Sequence, residues 1–266
     1  MKECESKDRF EVFEQYLKVQ KSIRPSSKEM AELLKDNANL LVYGGEAERI
    51  IREYEKCEEW RQYVRKDVRE VFQSFPRLMY WHAYPYAVQK KNLKIYEEAV
   101  VKARQDGWNV QEGEKEEHII RFYNETGMGE EYKAAIEKKI DAFFQNLDLK
   151  KIQLGHVEAV KIRTAEPHRK IVSFAESYTE SMIATIGDYM KYVTEDSEKQ
   201  NVLRWARQTK EILPNRLENI NFYADILYLW GDKQEAIKLK EEACRLAKDD
   251  ELGQKIKAEL RKMIAK

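Results

Sequence analysis

The chain has 266 residues, 42% hydrophobic and 36% charged, with only 10 Gly and 5 Pro; this is the balance of a folded, helix-rich chain with a heavily solvated surface, and it excludes disorder. Lys plus Arg and Asp plus Glu are both 48, with the signs interleaved, so there is no basic stripe to neutralise a phosphate backbone, and nucleic acid is not the expected partner. Apolar runs are far shorter than the ~20 residues of a membrane span, and MKECESKDRF lacks the apolar stretch of a secretory signal, so the chain as written reads as cytoplasmic, and as periplasmic or otherwise extracytoplasmic if a leader has been removed.

Taken in order, Pro25-Ser26-Ser27 precedes the apolar residues from Met30 to Val42, with Ser27 placed to accept backbone N–H bonds as a helix N-cap. Gly44-Gly45 is expected to close that helix. The series Ile50, Tyr54, Cys57, Trp60, Val64, Val68, Val71, Phe75 returns every three or four positions, which predicts one amphipathic helix from Glu46 to about Phe75, ended by Pro76. The segment Phe75 to Tyr86, FPRLMYWHAYPY, is dense in aromatic residues. The preferred reading is a junction where the prolines interrupt the helix and the aromatics fill the wedge. The other reading is a binding groove formed by Tyr80, Trp81, His82, Tyr84 and Tyr86, since Tyr and Trp anchor interfaces at low entropic cost.

Further along, Asp106-Gly107 and Glu112-Gly113 bracket a loop or turn, and Gly127-Met128-Gly129 breaks the chain before the series Tyr132, Ile136, Ile140, Phe143, Leu147. Glu166-Pro167 separates two further helices, the second carrying Ile171, Phe174, Tyr178, Met182, Ile186, Tyr189 and Val193 on one face. No comparable run alternates with period two, so the expected fold class is all-α, built of stacked antiparallel helical hairpins with short connections. A soft domain boundary is placed near Lys161 to Lys170, dividing a hairpin region (1–165) from a second helical region (166–266), with one continuous domain as the alternative.

No residue pattern signals chemistry. His82, His118, His156 and His168 form neither the His-Glu-x-x-His of a zinc protease nor the paired Glu-x-x-His of a di-iron bundle. His156-Val157-Glu158 matches the His-x-Glu of zinc deaminases, yet the accompanying Pro-Cys-x-x-Cys is missing. Neither a Gly-rich phosphate loop nor Gly-x-Ser-x-Gly is present. Cys4, Cys57 and Cys244 are odd in number and far apart, giving neither a disulfide framework nor a metal pair; Cys57 and Cys244 fall in phase with apolar neighbours and read as small core residues. Catalytic, cofactor and metal sites are therefore not expected.

The segment Asn221 to Lys248, NFYADILYLWGDKQEAIKLKEEACRLAK, resembles a tetratricopeptide repeat. Ala224 stands at the small position where two helices cross, Leu227 takes the large apolar place, Gly231-Asp232 forms the turn, and Ala236 and Ala243 are small residues of the second helix. Trp205-Ala206 and the run from Lys210 to Pro214 match a more degenerate preceding repeat whose first helix ends near Val193. Leu252, Ile256, Leu260 and Met263 fit the solvating cap helix of a finite stack. Lys240, where an aromatic is common, and Lys248, where a proline is usual, depart from the pattern. The resemblance covers about residues 180–266. A weaker one links the GDKQEAIKLKEEA stretch and the charged helix after it to helical regions that accompany thioredoxin-like domains in bacterial proteins; no Trp-Cys-x-x-Cys occurs, so it implies a helical appendage without redox activity.

These readings lead to an expected function: a non-catalytic scaffold for a protein or peptide partner. By analogy with such repeats, Asn221, Asp225, Tyr228 and Lys240 are its exposed candidate contacts. The alternatives are a helical accessory region of a thioredoxin-like protein lacking the redox domain, and a small-molecule binder or enzyme using the segment 75–86. The sequence leaves the oligomeric state and the identity of the partner open.

Overall fold

A computed structural model describes residues 9–23, 25–67, 69–248 and 250–265, with the side chains of Asp67, Glu70 and Val71 left undescribed. The described residues form helices and turns and no strand, so the fold is all-α. The chain divides between Met128 and Gly129 into two compact units, upstream of the boundary that Pro167 suggests.

The first unit contains α1 (Arg9–Ile23), α2 (Ser27–Asp36), α3 (Glu46–Tyr54), α4 (Glu58–Asp67), α5 (Arg69–Lys90), α6 (Leu93–Gln105) and α7 (Glu112–Thr126). The cap of α2 is Ser26, one residue before the expected Ser27. Its side chain accepts the Glu29 N–H while the Glu29 carboxylate accepts the Ser26 N–H, and this reciprocal pair fixes the start. The same helix stops at Asp36, earlier than Gly44-Gly45, where Asn37 leads into a single 3₁₀ turn, Ala38–Leu40, and Leu41 is extended. Gly45 instead opens α3, whose first N–H, that of Glu46, is taken at 2.5 Å by the Glu14 carboxylate of α1. Burial holds the Glu14 carboxyl above the usual range, and the bond to Glu46 works against that rise.

The helix predicted from Glu46 to Phe75 is in fact broken. The chain turns at Glu55 to Cys57, so that α3 packs against α1 and α4 packs against α2. Apolar spacing runs through the turn without a gap, which is why periodicity hides it. Cys57 sits on that turn and is exposed, contrary to a core role; Cys4 and Val68 lie outside the described residues. Pro76 does not end a helix either: α5 runs for 22 residues through both Pro76 and Pro85. Each proline removes one helical hydrogen bond, and that loss is offset by the packing of Phe75, Met79, Tyr80, Ala83, Tyr84 and Ala87, all buried on one face. Lys91-Asn92 returns the chain into α6, Asn92 capping it through the Lys94 N–H. At the other end of the unit, Gly127 closes α7 in the left-handed region at φ 75°, a conformation glycine adopts without cost.

The second unit contains α8 (Gly129–Asn146), α9 (Leu149–Ala165), α10 (Phe174–Tyr189), α11 (Asp196–Ile212), α12 (Leu217–Trp230), α13 (Lys233–Leu246) and α14 (Glu251–Ile264). From α10 onward each helix packs on the next, most extensively α12 on α13. Gly231-Asp232 alone joins those two, so they must run antiparallel, and Asp232 caps α13 through the Gln234 and Glu235 N–H groups. Ala224, Ala236 and Ala243 are fully buried, and such small side chains let helix axes approach closely. On α11, Val202, Trp205, Ala206, Thr209 and Ile212 form the buried face, and the Trp205 indole N–H donates to Asp141 of α8 at 2.6 Å, which satisfies the one polar atom that such a large side chain carries into a core. Cys244, on α13, is half-buried beside Ile220, Ala243 and Ile256.

Candidate interaction surfaces

Helical spacing splits the aromatic segment between two environments. Tyr80 and Tyr84 point into the first unit's core and join a polar network. The Tyr80 hydroxyl donates to Glu114 at 2.7 Å and lies 3.2 Å from the Tyr96 hydroxyl, which is 2.8 Å from His118 Nδ1. Tyr84 donates to Glu125 at 3.2 Å. This network binds α5, α6 and α7 to one another. Burial, reinforced by the neighbouring acids, pushes the Tyr80 and Tyr84 phenols well up, and burial takes Tyr96 to about 12, so all three stay protonated donors at neutral pH. His82 reaches the Leu41 carbonyl through Nδ1 at 3.0 Å, and Tyr86 packs its ring 5.7 Å from Phe10. Of the five, only Trp81 is largely exposed, at 48%.

The C-terminal four are also internal ties. Lys240 is fully buried, contrary to its expected exposure, with its ammonium 2.5 Å from Asp225 and 2.7 Å from Glu259. Asn221 donates to Asp225 at 3.3 Å, and the Tyr228 hydroxyl donates to the Met263 carbonyl at 3.3 Å. Burial raises the Asp225 carboxyl above its usual range, with Lys240 pulling it back. A cation in the aromatic's usual place therefore stitches α12, α13 and α14 together. Repeat analogy placed these residues by position, and position alone cannot reveal that a lysine has two acids waiting inside.

Exposed apolar side chains occur along α1, at Val12, Tyr16, Val19 and Ile23, and on α9 and the start of α10, where ring contacts and polar ties bring two elements together. Among the residues of α9 only Ala159 is buried. Leu154 is 65% exposed and Phe174 77%, and Val157, Val172 and Tyr178 are exposed as well. Phe174 stacks on Tyr178, with ring centroids 6.1 Å apart, and Tyr178 meets Phe143 of α8 edge-on. Two polar ties hold α9 to the N-terminus of α10: His156 Nδ1 to the Ser173 hydroxyl at 2.8 Å, and Arg163 to Glu176 at 2.8 Å. Ser173 also caps α10 in a reciprocal pair with Glu176. The apolar series from Ile171 predicts a buried face for Phe174 and Tyr178. They are exposed because the buried stripe of α10 runs through Ala175, Thr179, Met182, Ile186 and Tyr189, which leaves Phe174 and Tyr178 one position off its inward face. A sequence signal for the α9 surface existed in the scatter of Leu149, Ile152, Leu154, Val157, Val160 and Ile162 around the whole helix instead of along one stripe.

The first unit also holds a cavity of about 500 Å³ between α3, α4 and α5, floored by Ile51, Trp60, Phe72, Phe75 and Met79 and rimmed by charged side chains including Arg52 and Arg61. None of Tyr80, Trp81, His82, Tyr84 or Tyr86 lines it. The Glu48 carboxylate at its edge is fully engaged by the Gly44 N–H, Arg52 and Lys102. Among the described residues no three His, Cys, Asp or Glu side chains are grouped to hold a metal ion, and no helix is long and apolar enough to cross a membrane. Comparison with known proteins finds no matching family model, no matching curated protein and no matching solved structure.

Proposed function

We propose that the chain is a non-catalytic helical scaffold that binds a protein or peptide partner, and that the partner covers the apolar surface of α9 and α10. The observation that carries this reading is the exposure of Leu154, Val157, Val172, Phe174 and Tyr178 within 25 residues of one another. Exposed apolar clusters of this kind mark association surfaces, because leaving them in water costs roughly 25 cal/mol for each Å² that a partner could cover. The consecutive packing of α10 to α14, with small residues at the α12–α13 crossing, agrees with the tetratricopeptide resemblance of the same stretch, and partners of such stacks usually lie along their surface.

The test is affinity capture from the source organism's lysate with the wild-type chain and with a Leu154→Glu/Phe174→Glu double variant. Both positions are exposed, so the variant should melt within a few degrees of wild type. Proteins enriched by the wild type and lost by the variant support the reading; an identical set from both contradicts it. A second reading rests on the α3–α4–α5 cavity, whose volume and apolar floor suit a small ligand. Saturable uptake of an apolar fluorophore that Trp60→Ala abolishes would favour it.

A further inference from the structure

Arg77 and Trp81 stand one helical turn apart on α5, and the Arg77 guanidinium lies over two indole rings, 4.0 Å from the centroid of Trp81 and 5.3 Å from that of Trp108. Trp108 belongs to the loop between α6 and α7, and that loop is tied down. Its backbone N–H donates to the Ala103 carbonyl at 2.8 Å, and the Arg104 guanidinium donates to the Val110 carbonyl at 2.9 and 3.2 Å. Among the described residues no carboxylate comes within 4.0 Å of Arg77. The first unit thus presents a cation that is oriented by aromatic faces and that no carboxylate among the described residues matches.

That arrangement has a chemical preference. A guanidinium stacked on indoles keeps its N–H edge free for a planar, two-pronged carboxylate, and stacking has already restricted its rotamers, so less entropy is lost on binding. Trp81, half exposed, offers apolar contact beside it. Tryptophan and arginine are, with tyrosine, the side chains enriched where binding energy concentrates at protein interfaces. We propose that Arg77, Trp81 and Trp108 form a recognition site for an acidic peptide segment, in which a Glu or Asp carboxylate meets Arg77 and an adjacent apolar side chain lies on Trp81. Stacking tryptophans and arginine also suit single-stranded nucleic acid, but the chain is electrically neutral and its charges alternate, which leaves no basic track for successive phosphates. The site is separate from the α9–α10 surface, and neither proposal depends on the other.

The experiment is fluorescence anisotropy on the full chain with a labelled octapeptide of alternating Glu and Phe, its Gln and Lys counterparts, and a ten-residue oligothymidylate. The Glu peptide is expected to bind about 10-fold or more tightly than the Gln peptide, the scale of one charge-assisted hydrogen bond. Arg77→Gln should erase that preference, Arg77→Lys should restore part of it, and Trp81→Ala should weaken the Glu peptide, with circular dichroism melts unchanged. Equal affinity for the Glu and Gln peptides, a preference that survives Arg77→Gln, absence of binding up to about 1 mM (the weak end of measurable affinity), or tighter binding of the oligothymidylate would each overturn the assignment.

Discussion

Replacing Lys240 with methionine keeps most of the buried stem and removes the ammonium that sits between Asp225 and Glu259 at 2.5 and 2.7 Å. Breaking a buried ion pair by removing one partner costs about 3–5 kcal/mol. The Asp225 and Glu259 side chains are 37% and 29% exposed, so water recovers part of the loss and about 2–3 kcal/mol is expected at pH 7. The sign with pH follows from Asp225. Its folded-state carboxyl already lies above its ordinary value because of burial, and Lys240 restrains that rise. Without Lys240 it rises further, so the folded variant holds a proton more tightly than the unfolded chain, and its deficit grows as pH rises through the raised value and shrinks toward pH ~4, near the unfolded carboxyl's pKa. Hydrogen-exchange mass spectrometry across a urea series, read on peptides from α12 to α14, measures this locally. A variant within about 0.5 kcal/mol of wild type at pH 7, the level of an ordinary surface change, would refute the reasoning, as would a deficit that stays constant between pH 4 and pH 7.

Two further outcomes follow from the same geometry. Burial works to raise the Glu198 carboxyl, but N–H bonds from Glu195 and Thr194 and the Lys133 ammonium at 2.5 Å bring it down to about 2; a depressed carboxyl stabilises the fold above its unfolded value and loses that contribution as pH falls through its folded one, so Glu198→Gln should be less stable than wild type at pH 7 and match it near pH 2, as checked by urea midpoints at both. The Cys57 thiol is held below its ordinary value by the backbone N–H of Trp60, with help from Ser27 and the Glu59 N–H, so iodoacetamide should label exposed Cys57 faster than half-buried Cys244, as measured by peptide mass spectrometry over time.

Much of the architecture was legible because apolar spacing reports helices directly. The faces carrying Tyr132, Ile136 and Ile140, and Met182, Ile186 and Tyr189, are buried as their spacing requires, and the Gly231-Asp232 turn falls where its residues place it. Breaks were harder to read. The turn at Cys57 preserves helical phase, and α5 passes Pro76 and Pro85 because tertiary packing outweighs two lost hydrogen bonds. Side-chain destinations were hardest of all. Lys240 reads as a surface residue until Asp225 and Glu259 are seen around it, and Phe174 reads as core until the buried stripe of α10 is seen to run through Ala175 and Thr179 instead. Such outcomes depend on contacts between segments far apart in sequence, which local periodicity does not encode.

Site-specific photo-crosslinking tests the central claim most directly. With a photoreactive residue at Val157 of the α9 surface, and a control at exposed Lys238 of α13, irradiation in the source organism should join the Val157 probe to a discrete partner and leave the Lys238 probe unjoined to it. Labelling of the same proteins from both positions, or of none from Val157, would contradict the account.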